Sequence, residues 1–401
     1  MNNESLRILT PADKPVYMRL MAQAFERGGV QKDIVHDENF GSETAGIWAN
    51  DQLRAAVTVR PFTLHWSNAA SGMLSMGGVA GVATGIEARG RGYVDRLLRD
   101  ALVRMRDAGQ VVSALYPFAW AFYRKFGWEW VGEKRSVTLP LREIKATPEG
   151  RFVREVPGES ARELLAPVYE RYAARYHGMF ASDSHQWGDK LAHSEERTTF
   201  VYAYFPEGGT EPTAYLLWRY DSGGSDAGEI REFIAYTPDG YRALFGLLHY
   251  LGTQCRTARL VAPADAPLWS QMYHWEISTK IEPVFQARVV DVCAAMTELA
   301  PPPDYPDGAE VTVQIADEAA LWNHGKFRIG VVGGKIHCVT DSGSGPADVT
   351  MDIQAFSQAF WGAPALSVLR EAGRIEVDND AGYENLSRLL PAAPVFTLDF
   401  F

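Results

Sequence analysis

The stretch GGVAGVATGIEARGRGYVDRLLRDALVRMRDAG, residues 77–109, decides the fold of this chain. It begins as an apolar, glycine-rich strand, passes through the basic turn Arg89-Gly90-Arg91-Gly92 and continues as an amphipathic helix that Gly109 ends. The apolar helix positions with i, i+3, i+4, i+7 spacing are Val94, Leu97, Leu98, Ala101, Leu102 and Met105. With a further strand expected over 111–116, this order predicts a βαβ-type unit of an α/β sheet. The patterns around it predict helices over 14–25 and 120–126, two strands over 44–59 that turn at Asn50-Asp51, and a separate strand over 62–66.

The basic turn has the features of an anion-binding site. Backbone N–H groups at the start of a helix have no intrahelical partner and carry partial positive charge. Glycine lets the backbone approach a phosphate closely, and Arg89 and Arg91 can add charge-assisted hydrogen bonds. The alternative is a basic turn on a solvated surface. The strand before the turn and the long amphipathic helix after it favour the phosphate site.

Two further stretches extend this hypothesis. The strand residues Val82-Ala83-Thr84 could pair with an extended ligand if one edge of the strand is open. The motif at 121–128, AFYRKFGW, contains Tyr123, which could protonate a departing thiolate. A phenol with a pKa near ~10 and a thiol near ~8.5 are reasonably matched for this transfer. The alternative is that Tyr123 only packs among the neighbouring aromatic residues.

Composition excludes several classes of protein. The formal net charge of -11 argues against a general nucleic-acid binder, which would show a basic face. The three cysteines form no disulfide framework, and neither they nor the nine histidines have metal-ligand spacing. We see no signal peptide and no run of 18 apolar residues. We therefore expect a cytoplasmic protein with no metal, nucleic-acid or membrane partner.

The length of 401 residues predicts two or three domains. The order of strands, helix and strand in residues 1–150 recurs in residues 151–284. In place of the basic turn, the second segment has Tyr236-Thr237-Pro238-Asp239-Gly240, which contains one glycine and no basic residue. A third segment, 285–401, ends in the apolar stretch TLDFF, residues 397–401. Because chain ends are usually polar and mobile, this ending predicts a docked terminus.

The stretch 77–130 resembles the GCN5-related N-acetyltransferase (GNAT) superfamily. The whole chain resembles one family within it, the enhanced intracellular survival (Eis) family, in length, in its three segments, in Val289-Val290-Asp291-Val292 and in its Phe401 ending. The resemblance implies an α/β and α+β fold. Its parts are a catalytic GNAT domain over 1–150, a GNAT-like domain without a cofactor site over 151–284, and a sterol-carrier-protein-like domain over 285–401.

The resemblance also implies acetyl-CoA as co-substrate. Tyr123 falls on the family's proton donor, and Phe401 falls on the terminal residue whose α-carboxylate accepts a proton. The residues that fall on cofactor contacts are Val82, Ala83, Thr84, Arg89, Gly90, Arg91, Gly92, Tyr93, Val94, Asp95, Phe118 and Ala119. Val94 departs from the Gly or Ala that is common in the superfamily. Phe118 and Ala119 are apolar where some family members are polar, so we expect backbone contacts there.

The implied reaction is direct acetyl transfer to a primary amine of a cationic small molecule or a lysine side chain. Aminoglycosides and polyamines are the implied small acceptors, and a hexamer is the implied assembly. We expect burial against Phe396 and Phe400 to raise the pKa of the Phe401 carboxylate, which is otherwise a weak base. The alternative is an acyl-CoA- or lipid-binding module without transferase activity.

Two regions that contain acidic residues each have a functional and a structural interpretation. His36, Asp37 and Glu38 either border the acceptor pocket or lie in a solvated loop. Asp399 either binds a cationic amine or caps the surface beside the terminal phenylalanines.

Overall fold

The computed structural model describes residues 4–25, 43–191, 198–221, 226–272 and 277–401. Within these ranges two β-sheets, one of twelve strands and one of five, organise the chain. The same residues contain no helix that is both long and apolar enough to cross a membrane. His36, Asp37 and Glu38 lie outside the described residues.

The first part of the chain builds one half of the large sheet. Its elements are β1 (Glu4–Ile8), α1 (Lys14–Phe25), β2 (Thr44–Ala49), β3 (Gln52–His65), β4 (Met73–Thr84), α2 (Tyr93–Asp107), β5 (Val112–Leu115), α3 (Trp120–Arg124) and β6 (Glu129–Pro140). The predicted helices over 14–25, 92–108 and 120–126 are confirmed to within two residues at each end. Asn50 and Asp51 form the predicted turn between β2 and β3, and both have positive φ angles.

One strand prediction is wrong. Residues 62–66 were expected to form a separate strand, but β3 runs continuously through Pro61. Among the described residues, β2 pairs with β3 only as far as Thr58, and Pro61 has a strand partner only in β4. Proline lacks the N–H that a second partner would need, and an open side therefore tolerates it.

The second part repeats the order of the first. Its elements are β7 (Val153–Glu155), α4 (Gly158–Ala173), α5 (Trp187–Leu191), β8 (Phe200–Tyr204), β9 (Ala214–Tyr220), β10 (Ala227–Ala235), α6 (Pro238–Leu251), β11 (Thr257–Pro263) and β12 (Ser278–Val289). β10 and β11 pair in parallel around α6, as β4 and β5 do around α2. The duplicated plan inferred from the sequence is therefore present in the structure.

The two halves exchange a strand. The order in the large sheet is β1-β2-β3-β4-β5-β12-β6-β11-β10-β9-β8-β7. The end of β12 pairs with β5 of the first half, and the end of β6 pairs with β11 of the second half. β12 thus runs across residue 284, the predicted end of the second domain. The predicted domain boundaries stay predictions.

The third part forms the small sheet and its helices. Its elements are α7 (Val292–Glu298), β13 (Glu310–Ala316), β14 (Gly325–Val332), β15 (Lys335–Thr340), β16 (Val349–Asp352), α8 (Ile353–Trp361), α9 (Leu366–Glu371), β17 (Ile375–Val377) and α10 (Asp380–Leu389). The sheet order is β15-β14-β13-β16-β17. A single apolar core joins residues of the large sheet, such as Leu64 and Phe285, to Val313 and Trp361 of this part.

Cys293 on α7 and Cys338 on β15 have Sγ atoms 2.6 Å apart. The sequence spacing of the three cysteines predicts no pairing, and this contact was not expected. It arises because α7 packs on β15, although 45 residues separate the two cysteines. All three cysteines are free.

A buried ion pair joins β12 to the third part. Arg288 and Asp317 are both almost fully buried, and the Arg288 Nη2 donates to Asp317 Oδ2 over 2.5 Å. Asp317 Oδ1 also accepts hydrogen bonds from the backbone N–H groups of Ala319 and Ala320, each 3.0 Å long. The guanidinium donates further to the Phe126 carbonyl oxygen, beside the cleft described below.

We expect Asp317→Ala to lower the free energy of unfolding by about 3–5 kcal/mol, because it leaves the buried Arg288 charge without its counter-ion. Urea unfolding measures this change. Asp304→Ala is the matched control, since Asp304 pairs with Arg388 at the exposed surface and its loss changes stability by at most about 1 kcal/mol. Equal losses in the two variants would contradict a structural role for the buried pair.

Candidate functional site

Strand β4 carries a bulge. Ala80 pairs with Thr58 and Ala83 pairs with Ala56, so two residues of β4 lie opposite one residue of β3. Gly81 at this bulge has a φ of 56°, and a Cβ there would lie 2.9 Å from the Tyr17 hydroxyl oxygen. Both the positive φ angle and the close approach of Tyr17 require glycine at this position. The bulge changes the direction of the backbone that follows.

β4 and β5 pair only from Met76 to Gly78 of β4. Beyond Gly78, in the described part of the chain, β4 has no strand partner on its β5 side. The edge of residues 82–84 is therefore open, as the sequence hypothesis requires. An extended ligand with amide groups can form strand-like hydrogen bonds to such an edge.

The basic turn has the backbone geometry of an anion site. Gly90 and Gly92 have φ angles of 78° and 74°, which favour glycine. Gly92 is the N-cap of α2 and supplies no side-chain cap. The first intrahelical bond is from Arg96 N to Gly92 O, so the N–H groups before it have no intrahelical acceptor. Successive N–H groups in such a turn form an anion-binding concavity.

A cavity of about 790 Å³ lies between the edge of β4, the basic turn and α3. It is bordered by every predicted cofactor-contact residue except Ala119, which is the N-cap of α3. The residues that sequence reasoning missed are Ala24, Phe25, Ala88, Phe122, Lys125 and Phe126. Lys125 adds a third cation. The motif at 121–128 contains it, but its spacing alone did not indicate a ligand contact.

Some side chains at this cavity already form hydrogen bonds or ion pairs within the protein, whereas two arginines form no ion pair with a described residue. The Tyr93 hydroxyl donates to Glu4 Oε1 over 2.8 Å, and Asp95 pairs with Arg99. Tyr93 and Asp95 could therefore meet a ligand mainly through their backbone. Arg89 and Arg91 are exposed and form no ion pair with any described residue, so both guanidinium groups can reach an anion.

Tyr123 lies behind the wall of the cavity. Its ring is 5.6 Å from Phe118 and 5.1 Å from Phe122, both of which border the cavity. Burial raises the pKa of the Tyr123 hydroxyl, which is therefore protonated at neutral pH. Among the described residues the hydroxyl has no hydrogen-bond partner. These contacts are compatible with both the packing role and the proton-donor role.

The chain terminus docks at the point where the β4–β5 pairing ends. The Phe401 ring lies 5.1 Å from Phe62 and 5.8 Å from Phe180, and a Cβ on Gly78 would be 2.7 Å from it. Gly78 thus leaves room for this ring. The predicted docking of the terminus is confirmed by the burial of Phe396 and Thr397.

The prediction of which residues pack around Phe401 is wrong. Phe396 and Phe400 were expected to bury it, but its ring neighbours are Phe62, Phe180 and Tyr116. Successive side chains of the tail point in different directions, so Phe400 is 67% exposed while Phe401 packs inward.

Neither interpretation of Asp399 fits the structure. Its side chain is fully buried, with Oδ2 2.8 Å from His185 Nδ1 and Oδ1 accepting from the Gln186 N–H over 3.1 Å. It is neither a surface cap nor open to an amine, because cations of the protein itself already surround it. His185 lies 214 residues away in sequence, and no local pattern signals this contact.

The start of α6, which corresponds to the start of α2, does not form an equivalent anion site. Helix α6 begins at Pro238, which has no N–H, and the Thr237 hydroxyl accepts from the Gly240 N–H over 3.0 Å. Asp239 in the first turn pairs with Arg242. Residue 238 thus has no N–H to offer a phosphate, the Gly240 N–H is occupied, and Asp239 adds a negative charge to the first turn. In the described residues, no group of three or more His, Cys, Asp or Glu side chains is placed to hold a metal ion.

Family models match all three parts. Residues 5–131 and 178–289 each match an acetyltransferase (GNAT) domain, and residues 294–397 match a sterol carrier protein domain. The chain is a GNAT-type acetyltransferase. Its two GNAT domains and sterol-carrier-like domain confirm the predicted fold class, and the matches argue against a binding module without transferase activity. The GNAT fold implies acetyl-CoA as co-substrate.

Similar proteins share this arrangement over their whole length. An uncharacterized N-acetyltransferase of Streptomyces avermitilis is 19% identical, with 96% of this chain and 95% of that protein covered. A GCN5-related N-acetyltransferase of Anabaena variabilis has a TM-score of 0.85 at 17% identity, with both chains fully covered. Eis1 of Mycobacterium abscessus has a TM-score of 0.79 at 19% identity, covering 99% of this chain and 100% of its own. The fold of the acetyltransferase is thus Eis-like, as predicted.

We expect Gly90→Ala to weaken acetyl-CoA binding at least tenfold, because alanine disfavours the left-handed backbone that aims the turn. Isothermal titration calorimetry measures the affinity. Gly208→Ala is the matched control, since Gly208 has a φ of 75° in a turn far along the chain. Each change strains the backbone by about 1–2 kcal/mol, but only the first should alter affinity. Wild-type affinity in the Gly90 variant would contradict the role of the turn.

Proposed function

We propose that this enzyme transfers the acetyl group of acetyl-CoA directly to a primary amine of a cationic acceptor, such as an aminoglycoside, a polyamine or a lysine side chain. The observation that carries the proposal is the arrangement along β4. Residues 82–84 border the cavity, and Gly78, on the same strand, accommodates the Phe401 ring. Four strand residues span about 13 Å, a distance that an extended thioester arm can bridge.

The cavity is the proposed acetyl-CoA site. The pyrophosphate would bind the N–H groups of the turn and the start of α2, together with Arg89 and Arg91. The amides of the pantetheine arm would pair with the open edge of Val82, Ala83 and Thr84. The thioester would then point towards the end of the β4–β5 pairing. The remaining predicted contacts, including Phe118 and Ala119, stay predictions.

In the proposed reaction a neutral amine attacks the thioester carbonyl carbon, forming a C–N bond. Backbone N–H groups at the bulge near Val82 stabilise the oxyanion. The Phe401 α-carboxylate takes a proton from the amine, directly or through water. The C–S bond breaks, and Tyr123 protonates the departing thiolate. The raised pKa keeps Tyr123 protonated before the thiolate forms, and it also makes Tyr123 a weaker acid than the free phenol assumed in the comparison with the thiol.

Three broader features belong to the same proposal. The net charge of -11 attracts cationic acceptors at a distance. The Eis resemblance supports a hexamer and a cytoplasmic location. Release of free thiol from acetyl-CoA with a panel of amines tests the acceptor class, and light scattering on the purified chain tests the hexamer.

We expect Tyr123→Phe to lower kcat by about 10²–10³-fold while the affinity for acetyl-CoA changes little, because the variant keeps the ring and loses only the proton donor. Thiol release measures kcat. Tyr241→Phe is the matched control, since Tyr241 in the second half also has a buried hydroxyl without a hydrogen-bond partner among the described residues. Near-normal turnover in Tyr123→Phe would return Tyr123 to the packing role.

We expect one glycine appended after Phe401 to reduce transfer more than 100-fold with the fold retained, because the carboxylate becomes a neutral amide and the charge moves one residue away. Phe401→Leu keeps the carboxylate in place and should lose far less activity. Circular dichroism and acetyl-CoA calorimetry check that fold and cofactor binding survive. Full activity of the extended chain would remove Phe401 from the mechanism.

A further inference from the structure

Four charged side chains lie buried together where the C-terminal tail meets the second GNAT domain. We call His185, Lys190, Glu232 and Asp399 the buried ion cluster. Their side chains are at most 5% exposed. They come from the segment before α5, from α5, from β10 and from the tail. The acetyl-transfer mechanism uses none of them, and buried charges in this number require an explanation.

The cluster is paired internally. His185 Nδ1 lies 2.8 Å from Asp399 Oδ2, and its Nε2 lies 3.1 Å from Glu232 Oε1. Lys190 Nζ donates to Glu232 Oε1 over 2.6 Å and lies 3.5 Å from Asp399 Oδ1. Two carboxylates thus face two basic side chains, and the cluster is neutral when His185 is protonated.

The directions in which the pKa values of His185 and Glu232 are shifted agree with a neutral cluster of two cations and two carboxylates. Burial alone lowers the pKa of His185, but Glu232 and Asp399 outweigh it and the net pKa is raised. Burial alone raises the pKa of Glu232, but Lys190 and His185 hold it well below its usual value. Both shifts favour the charged forms of His185 and Glu232.

The surrounding groups are also accounted for. The Tyr215 hydroxyl of β9 donates to Glu232 Oε2 over 2.6 Å, and the Tyr169 ring of α4 stacks on His185 with centroids 4.1 Å apart. Glu170 of α4 pairs instead with His65. Each of these described groups therefore takes part in a defined contact.

The tail is held by its backbone as well. Lys190 Nζ donates to the Leu398 carbonyl oxygen over 3.1 Å. From the first GNAT domain, the Tyr116 hydroxyl donates to the Asp399 carbonyl oxygen over 2.6 Å. Asp399 is therefore fixed from both halves of the large sheet. Only two residues follow to Phe401, a span of about 7 Å.

We propose that the buried ion cluster is a positioning device, through which the second GNAT domain holds the tail so that Phe401 reaches the end of the β4–β5 pairing. The four residues are positioning residues, because they act through Phe401. The effect on catalysis rests on the proposed function of the Phe401 carboxylate, but the effect on the position of the terminus does not.

Asp399→Asn tests this directly, since it keeps the shape of the side chain and removes its charge. The first readout is the rate at which carboxypeptidase A releases Phe401 from the folded chain. The second is kcat for acetyl transfer, with acetyl-CoA affinity measured by calorimetry. We expect release to be at least tenfold faster, kcat at least tenfold lower, and the affinity to stay within twofold.

Two further variants separate positioning from folding. Asp348→Asn removes a hydrogen-bonded carboxylate of the third part whose partners, Thr312 and Asn379, border neither the tail nor the cavity, and at a permissive temperature it should change neither release nor kcat. The double variant Asp399→Asn/His185→Gln restores the charge balance of the cluster. It should regain thermal stability, while the terminus stays open to carboxypeptidase because the ionic contact to the tail is still missing.

The two readouts distinguish the two proposals. Faster release with lower kcat supports both. Faster release with unchanged kcat keeps the positioning device and contradicts the catalytic role of the Phe401 carboxylate. Release at the wild-type rate in both Asp399 variants overturns the positioning device, whatever happens to kcat.

Discussion

The structure of the site depends on one feature of the large sheet. Hydrogen bonding between β4 and β5 ends at Gly78. An open strand edge follows from it, because the later residues of β4 have no strand partner on that side in the described ranges of the chain. The bulge at Gly81 then turns this edge towards the start of α2. Gly78 itself leaves the space that the Phe401 ring fills. One break in pairing thus positions both the proposed cofactor edge and the chain terminus.

The second half shows that the same fold can serve another purpose. β10 and β11 also pair only near their starts, and a cavity of about 380 Å³ lies beyond that pairing. Its helix begins with Pro238 and a Thr237 cap, so it offers no phosphate site. Phe396 and Leu398 of the tail border this cavity. The cleft proposed to hold the cofactor in the first domain has a counterpart in the second domain that borders the C-terminal segment of the chain.

Local patterns allowed the prediction of local structure. The spacing of apolar residues predicted α2, and the glycines of the basic turn predicted a backbone that the structure contains. β6 and β12 were missed because their exchange depends on pairing between residues more than a hundred positions apart. The role of Asp399 was missed for the same reason. The resemblance contributed Phe401 and favoured the proton-donor role of Tyr123 over packing, because no local pattern establishes either role.

Apolar contacts alone do not fix the register in which the tail docks, and the charged contacts of Asp399 do. A tail that bears Phe396, Leu398, Phe400 and Phe401 could shift by a residue and still bury apolar surface. A shift would take the Asp399 carboxylate away from His185 and leave two buried cations facing Glu232 alone. Uncompensated buried charge is strongly destabilising, whereas a paired cluster adds little net stability over an apolar one. The cluster therefore fixes the register of the tail more than it strengthens the docking of the tail. That register decides where the terminal carboxylate lies.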